Sequence, residues 1–402
     1  MPTAAATERA THLFTAGAAS GPQQAGLRPD RRAAALPLGD GRAPEIDAIR
    51  GWAALSVVCF HVFWETFGVV APSFCNPYTA GLIAGGFDVM LFFILSGDAL
   101  SAPFFAGAGR ACLKRAALKR YPRLTIPILF VAAATSLAMA SGLTPTGAAG
   151  AIVGRPDWLG QFGRFPLDAE GTLAYALSGV YLDVRPRHLP FLWTMPVELF
   201  GSLILLATLA LCPPGGWRSW IVAGAATALT VTGHQIGCFL IGALLGKARA
   251  GGVFARTPLW FARYAAPLGV GTALACAGLL QCINAQFTPA LVGLATLCLV
   301  CLYSCAEVMA FLARSSLSQF LGRISFPLYL WHYPVLITFT SNLIVFAADE
   351  GGTIAAPAAL AIGVGTVAVS VAVAHVMDPV EAWTRGFNAW WLRFWMRDGR
   401  TA

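Results

Sequence analysis

Charged residues are scarce in this 402-residue chain: Asp, Glu, Lys and Arg make up 11% of it, against 57% hydrophobic residues. Soluble domains contain about 25% charged residues, so the composition excludes an ordinary soluble globular protein. Neither a Walker glycine loop nor a G-x-G-x-x-G sequence is present, which excludes the common nucleotide-binding folds. Long apolar stretches recur between residues 51 and 377 and predict an all-α, polytopic membrane protein.

The first 43 residues also lack an apolar run, which excludes a signal peptide in this segment. Residues 1–43 are rich in Ala, Arg and Gly, and we predict that they form a disordered cytoplasmic tail. The net charge of +8 would suggest nucleic acid in a soluble protein. Here the basic residues lie between apolar stretches, so the bilayer is the better explanation and no nucleic acid partner is expected.

A spanning helix needs about 20 mostly apolar residues. On this criterion we predict about ten spans, at 48–70, 82–105, 124–142, 191–211, 218–233, 235–248, 264–281, 287–306, 325–347 and 355–377. The fifth and sixth of these are the weakest, because they are short and only Gly233 and His234 form a hinge between them.

Basic residues predict the orientation, because cytoplasmic loops of membrane proteins are enriched in Lys and Arg. With the N-terminus inside, only Arg155, Arg164, Arg185 and Arg187 of the 27 Lys and Arg residues fall outside. This split predicts a multi-pass protein of the inner membrane with both termini cytoplasmic. The transmembrane domain would comprise residues 44–378 and the cytoplasmic C-terminal tail residues 379–402.

The four outer arginines all belong to one long loop, at about 143–190. The loop mixes acidic, basic and aromatic side chains, Trp158 among them, which suits contact with a polar, hydroxyl-rich molecule. A solvated loop without a ligand explains the same composition.

Ionisable residues inside a span cost several kcal/mol unless they are paired or line a wet cavity, so they are candidates for function. Arg50 and His61 are eleven residues apart in the first span, which places them on one helical face with Glu65 one turn further on. The remaining candidates lie in spans two, four and nine, at Asp88, Asp98, Glu198 and His332. Polar groups at successive depths in the membrane are expected in an enzyme that acts within the membrane on a substrate from the cytoplasm. They are equally expected in a proton relay.

The densest basic cluster lies between residues 114 and 123 and includes Lys119, Arg120 and Arg123. One hypothesis is anchoring at anionic lipid headgroups. The other is a clamp for a phosphate-rich cytoplasmic ligand, which the excess of Arg over Lys favours because Arg binds phosphate through two hydrogen bonds.

Five segments in order resemble motifs of the integral-membrane acyltransferase-3 family, whose members O-acylate sugars and other hydroxyl compounds. They are Ile46-Asp47-Ala48-Ile49-Arg50-Gly51 with His61 in R-x10-H spacing, Gly86-Phe87-Asp88 with Phe92-Phe93-Ile94-Leu95-Ser96-Gly97, Lys119-Arg120-Tyr121-Pro122-Arg123, Trp193-Thr194-Met195-Pro196-Val197-Glu198, and Leu321-Gly322 through His332. Two positions depart from the family pattern. Asp98 replaces an apolar residue and Pro196 replaces a Ser. Asp98 is either an added polar site residue or a structural partner for the inner arginines.

The resemblance implies an O-acyltransferase, and an O-acetyltransferase first of all. The donor would be cytoplasmic acetyl-CoA or another acyl-CoA held by Arg50, Lys119, Arg120 and Arg123. His61 would act as general base or transient acyl carrier, with His332 at similar depth and Asp88 or Glu198 orienting the imidazole or activating the acceptor. The acceptor would be a sugar hydroxyl of an envelope or exported polysaccharide, and no metal is expected. Acylation of a macrolide or lipo-oligosaccharide and a proton-coupled transporter stay open as alternatives.

Overall fold

The computed structural model describes residues 43–183, 188–285 and 287–397, and no strand occurs among them, which confirms the all-α class. The first half of the chain forms α1 Pro44–Cys59, α2 Pro77–Leu82, α3 Gly85–Pro103, α4 Gly109–Ala140, α5 Thr146–Ile152, α6 Ala169–Ala174, α7 Val180–Leu182 and α8 Met195–Leu211. The second half forms α9 Arg218–Val231, α10 Ile236–Ala250, α11 Ala266–Cys282, α12 Thr288–Ser304, α13 Ala306–Arg314, α14 Ser316–Val335, α15 Ser341–Ala347, α16 Ala356–Val376 and α17 Asp378–Arg397.

Several of these helices make the chain a multi-pass membrane protein. Within the described ranges, six helical stretches are long and apolar enough to cross a bilayer, and α12 with α13 adds a seventh if this pair, bent by 88°, is one span. The six are Pro44–Thr66, Pro77–Ala140, Pro190–Leu211, Phe261–Cys282, Ser316–Ala347 and Ala356–Met396. The predicted count of about ten is not confirmed, because α9 and α10 have only 14 and 15 residues.

The stretch Pro77–Ala140 covers 64 residues, about three times the length that a bilayer requires. It turns at Gly107 and Gly109, whose φ angles are 92° and 66°. Side chains with a Cβ atom rarely adopt such angles, so the two glycines allow the chain to leave α3 and enter α4 in a new direction. The second and third predicted spans therefore correspond to separate helices.

The helix α1 lies between two hydrophobic cores. Its residues Ala54 and Val58 belong to a core built with α4, α14, α16 and the outer loop. Ile46 and Ile49 belong to a second core built with α3, α8, α10, α11 and α12. Arg50 on α1 and His61 just beyond its end therefore belong to a helical stretch that packs against both cores.

The predicted outer loop 143–190 folds onto the first core. It contains α5, α6 and α7, and Leu159 and Val180 within it are fully buried. His188 is buried as well and donates from Nδ1 to the carbonyl oxygen of Phe165 at 3.0 Å. Burial lowers the pKa of His188 below its usual value.

Orientation, the inner membrane and the limits of the tails stay predictions. The tail expected at 1–43 lies outside the described residues except for Ala43, and Arg185 and Arg187 also lie outside them. In the tail expected at 379–402, residues up to Arg397 belong to the helix α17.

Several pairs of helices approach so closely that glycine is required at the contact. A Cβ atom on Gly51 would overlap the backbone of Gly322 where α1 crosses α14, and one on Gly278 would overlap Gly81 where α11 crosses α2. A Cβ atom on Gly242 of α10 would overlap the carbonyl oxygen of Ile94 in α3. Small residues of this kind let helices pack closely in membranes, where van der Waals contact replaces the hydrophobic effect.

We expect Gly242→Ala to lower the free energy of unfolding by about 1–3 kcal/mol, because the added methyl group meets backbone that cannot move aside. Gly224→Ala in α9 is the matched control, since a Cβ atom there meets nothing within 4 Å. The measurement is the thermal unfolding midpoint of each variant in detergent. Equal midpoints for the two variants would contradict the close packing of α3 and α10.

Candidate active site

His61 lies where α1 passes into a π-helical segment, Phe60–Thr66. Segments of this kind widen the helix and are frequent at functional sites. The His61 Nδ1 atom lies 2.5 Å from Oε2 of Glu65, one turn further along the same face. A carboxylate only accepts hydrogen bonds, so the proton belongs to Nδ1 and the Nε2 lone pair of His61 is available.

His332 of α14 faces His61, with ring centroids 5.3 Å apart and an angle of 17° between the rings. Its Nδ1 atom donates to the carbonyl oxygen of Leu328 at 3.2 Å. Its Nε2 atom is buried and has no hydrogen-bond partner among the described residues. A buried polar atom without a partner costs about 1–3 kcal/mol, which marks this nitrogen as one that a substrate or water would satisfy.

Aromatic rings complete the stack around the two histidines. Phe191 lies parallel to His61 at 4.0 Å, and Trp158 of the outer loop lies nearly parallel to it at 6.1 Å. The side chain of His61 is 17% exposed and that of Glu65 is 21% exposed, whereas His332 is buried. His61 and Glu65 are therefore more accessible than His332.

The two carboxylates predicted from the sequence contact other groups. Asp88 accepts a hydrogen bond of 2.5 Å from Ser56, and Glu198 pairs with Arg120. The carboxylate that contacts His61 is Glu65. The sequence did carry this signal, since Glu65 follows His61 at the i,i+4 spacing of neighbours on a helix.

A cavity of about 1020 Å³ opens beneath this stack, and the predicted donor-binding residues Arg50, Lys119, Arg120 and Arg123 all line it. Four more basic side chains line it too, namely Arg115, Arg249, Arg323 and Arg385. Asp47, Glu198 and Glu381 are the acidic ones. The volume exceeds that of a typical small-ligand pocket, so the cavity admits a large, anionic ligand.

A hydrogen-bonded network joins two of the cavity's arginines. Arg120 donates from Nε to Ser202 at 2.8 Å and from its terminal nitrogen to Glu198. Ser96 donates to the same Glu198 oxygen at 2.9 Å and accepts from Arg50 at 3.0 Å. Arg120 is therefore buried and paired. Its charge contributes to the potential of the cavity wall, but its hydrogen bonds go to protein groups and not to a ligand.

A family model described as an acyltransferase domain matches residues 44–375. The chain belongs to the acyltransferase-3 family. Comparisons with curated proteins and with solved structures gave no match. The match covers both histidines and all residues that line the cavity except Ala43, Glu381 and Arg385. The protein is therefore a membrane acyltransferase, and this arrangement is its candidate active site.

In the acyltransferase a wall separates the cavity from the histidines. Tyr329 and Thr194 line the cavity, whereas His61 and His332 are not among the described side chains that do. The Tyr329 hydroxyl donates to the carbonyl oxygen of Phe191 and lies 2.7 Å from the Thr194 hydroxyl. The ring of Tyr329 is 5.9 Å from that of His332. A group entering from the cavity meets Tyr329 before it meets either histidine.

Asp98, which departs from the family pattern, is fully buried and already paired. It accepts hydrogen bonds of 2.8 Å from Arg249 and 2.8 Å from the Tyr303 hydroxyl. Of the two hypotheses drawn from the sequence, these contacts favour the structural partner. The arginine concerned lies at the end of α10 rather than in the cluster at 114–123.

We expect Arg120→Ala to destabilise the acyltransferase by about 3–5 kcal/mol, because it leaves the buried Glu198 carboxylate without its cation. The double variant Arg120→Ala, Glu198→Gln should recover much of this loss, since it removes both charges. Thermal unfolding of the wild type, both single variants and the double variant completes the cycle. Additive effects of the two changes would contradict the buried pair.

Proposed function

We propose that this membrane acyltransferase transfers an acyl group, acetyl first of all, from cytoplasmic acyl-CoA to a hydroxyl of a sugar in an envelope or exported polysaccharide. The observation that carries the proposal is the juxtaposition of a large basic cavity with a carboxylate-backed histidine pair. The donor, the acceptor and the inner-membrane location belong to the proposal and follow the family resemblance.

The charge of the cavity supports a CoA thioester as the donor. A CoA molecule carries several phosphate charges, and guanidinium groups bind phosphate through paired, charge-assisted hydrogen bonds. Lys119 and Arg123 are exposed at the cavity and are the first candidates for these contacts. Arg50 is held by Ser96 deeper in the wall, closer to the histidines.

The His61–Glu65 pair supplies the base that the reaction needs. In the proposed step Nε2 of His61 takes the proton of the acceptor hydroxyl while the oxygen attacks the thioester carbonyl carbon. The carbon–sulfur bond then breaks, and the CoA thiolate takes the proton from the imidazolium. Glu65 fixes the tautomer and stabilises the imidazolium, which is the part played by the carboxylate in a catalytic triad.

His332 has a separate place in the mechanism. Its Nε2 atom has no hydrogen-bond partner among the described residues, and its ring stacks on His61. We therefore assign to Nε2 of His332 either a hydrogen bond from the acceptor hydroxyl or the transient binding of the acyl group. Histidine forms covalent acyl intermediates in other enzymes. His61 acts either as the general base or as the carrier of the acyl group. Both schemes require His61.

The outer loop supports a carbohydrate acceptor. Trp158 lies against His61, and the guanidinium of Arg155 lies 5.6 Å from the Trp158 ring centroid. An aromatic face beside a charged group offers both an apolar contact and hydrogen bonds, as small-molecule sites commonly do. The acceptor would therefore approach from the predicted outer side while the donor enters from the cavity.

We expect His61→Ala to lower turnover per folded molecule by at least 10²–10⁴-fold, the usual contribution of a general base. Glu65→Gln should lower the turnover number by a similar order while the KM for acyl-CoA stays near the wild-type value, because Glu65 acts through His61. Glu65→Asp should recover part of the loss. Transfer is measured by mass spectrometry of the acylated glycan, with folding checked by monodispersity in detergent.

Glu170→Gln is the matched control for Glu65, since Glu170 is an exposed glutamate of the outer loop. Normal turnover in Glu65→Gln would exclude a catalytic role for the His61–Glu65 pair. Normal turnover in His61→Ala would exclude His61 as base and carrier and leave His332 as the candidate.

We expect Lys119→Gln and Arg123→Gln each to raise the KM for acyl-CoA about tenfold or more with little change in the turnover number. Hydrogen bonds to charged groups contribute about 1.5–3 kcal/mol, and these two residues lie at the cavity that we assign to the donor phosphates. Arg256→Gln is the control, because Arg256 is exposed between α10 and α11 and does not line the cavity. A KM unchanged in both cavity variants would exclude them as phosphate contacts.

A further inference from the structure

The helix α17 lies outside the residues that the family model matches, but it contributes to the basic cavity. Of its described side chains, Glu381 and Arg385 line the cavity. They are four residues apart, so they share one face of the helix and are separated by about 6 Å along its axis. The donor contacts assigned above all belong to the matched residues, and none of them explains why an acid and a base of α17 are placed here.

Two contacts fix α17 on α4, the helix that carries the proposed phosphate contacts. The ring of Trp383 lies 6.1 Å from that of Phe130, and Nε1 of Trp391 donates to the carbonyl oxygen of Leu118 at 3.1 Å. Leu118 directly precedes Lys119, which we assign to the donor phosphates. The acid and the base of α17 therefore belong to a helix that is packed beside these contacts.

Glu381 lies among cations of the cavity. The charges of Arg123 on α4 and of Arg385 both act on its carboxylate. Arg385 is exposed at the cavity, and a guanidinium binds phosphate through charge-assisted hydrogen bonds. A carboxylate beside it repels phosphate, so a site for phosphate alone does not explain Glu381. The pair favours a ligand that carries hydrogen-bond donors next to its anionic groups.

Two acceptor oxygens on this face of α17 support such a ligand. Oε1 of Glu381 and Oδ1 of Asn388 are buried and have no hydrogen-bond partner among the described residues. Asn388 is 7% exposed and follows Glu381 by seven residues, which places both on the same face two turns apart. Leaving a buried acceptor without a donor is costly, so ligand N–H or O–H groups at this face would bind favourably.

The nucleotide end of CoA combines these features. Its adenosine carries phosphates next to an amino group and a ribose hydroxyl, whereas the pantetheine arm has amide and hydroxyl groups but no charge. We propose that the face of α17 formed by Glu381, Arg385 and Asn388 binds the nucleotide end of the donor. Arg385 contacts a phosphate, and Glu381 accepts a hydrogen bond from the adenine amino group or the ribose hydroxyl. This inference rests on the proposed function, because it requires an acyl-CoA donor.

Equilibrium binding to the purified full-length protein in detergent tests the inference without an activity assay. The probes are CoA, its nucleotide end adenosine 3′,5′-bisphosphate, and pyrophosphate, which has the charge but no amino group. Arg385→Gln should raise the Kd for all three by about tenfold, the usual effect of losing a hydrogen bond to a charged group. Glu381→Gln should raise the Kd for CoA and the bisphosphate several-fold. It should not raise the Kd for pyrophosphate, because the charge that it removes repels phosphate.

Arg393→Gln is the matched control, because Arg393 is exposed on the same helix and does not line the cavity. Its three Kd values should equal those of the wild type, and so should the thermal unfolding midpoints of all variants without ligand. Equal binding of CoA by the wild type, Arg385→Gln and Glu381→Gln would overturn the inference and leave the proposed donor intact.

Two results on the wild type alone are decisive even if a variant does not fold. Equal affinity for adenosine 3′,5′-bisphosphate and pyrophosphate would overturn the assignment of this face to the nucleotide, while CoA would remain the donor. A wild type that does not bind CoA would overturn the donor of the proposed function and this inference with it.

Discussion

The active site depends on the close crossing of α1 and α14. The contact is made by Gly51 and Gly322, neither of which has space for a side chain. His61 and His332 each lie ten residues beyond these glycines, or about 15 Å along each helix. Because the two helices are in register at the glycines, the imidazoles meet face to face at 5.3 Å. A methyl group at either glycine would separate the helices and with them the histidines.

The low dielectric of the membrane explains which polar groups are left for chemistry. Burying an unpaired charge is expensive, and two of the buried carboxylates here have an arginine partner. Arg120 pairs with Glu198, and Asp98 with Arg249. Among the described residues, Nε2 of His332 is one of several buried polar atoms without a hydrogen-bond partner, and its ring is the one that stacks on His61. The paired charges shape the site, and this nitrogen is a candidate contact for a substrate.

The sequence predicted the all-α class, placed Arg50 and His61 on one helical face and identified the basic cluster at 114–123, because helical periodicity and charge clusters are local properties. It did not identify Glu65 as the partner of His61. The family motifs drew attention to Asp88 and Glu198, and only the packed structure shows that these carboxylates bind Ser56 and Arg120. The span count was not confirmed, because α9 and α10 are apolar but short. The packing of α17 on α4 was also not predictable, since an amphipathic segment after the last span resembles a tail until its buried face is seen.

The separation of cavity and histidines has a mechanistic consequence. In the proposed function the phosphates of the donor would bind at the basic cavity, whereas the reaction would take place beyond Tyr329, which lines the cavity and lies 5.9 Å from the ring of His332. Because a long flexible arm joins the thioester of CoA to its phosphates, the phosphates could bind in the cavity while the thioester reaches the histidines. A free acyl group has no phosphates and could not bind in the cavity in this way. In that scheme the hydrogen-bonded residues Tyr329, Thr194 and Phe191 would keep water on the donor side away from the thioester. Donor and acceptor would meet at His61 although each approaches from a different side of the membrane.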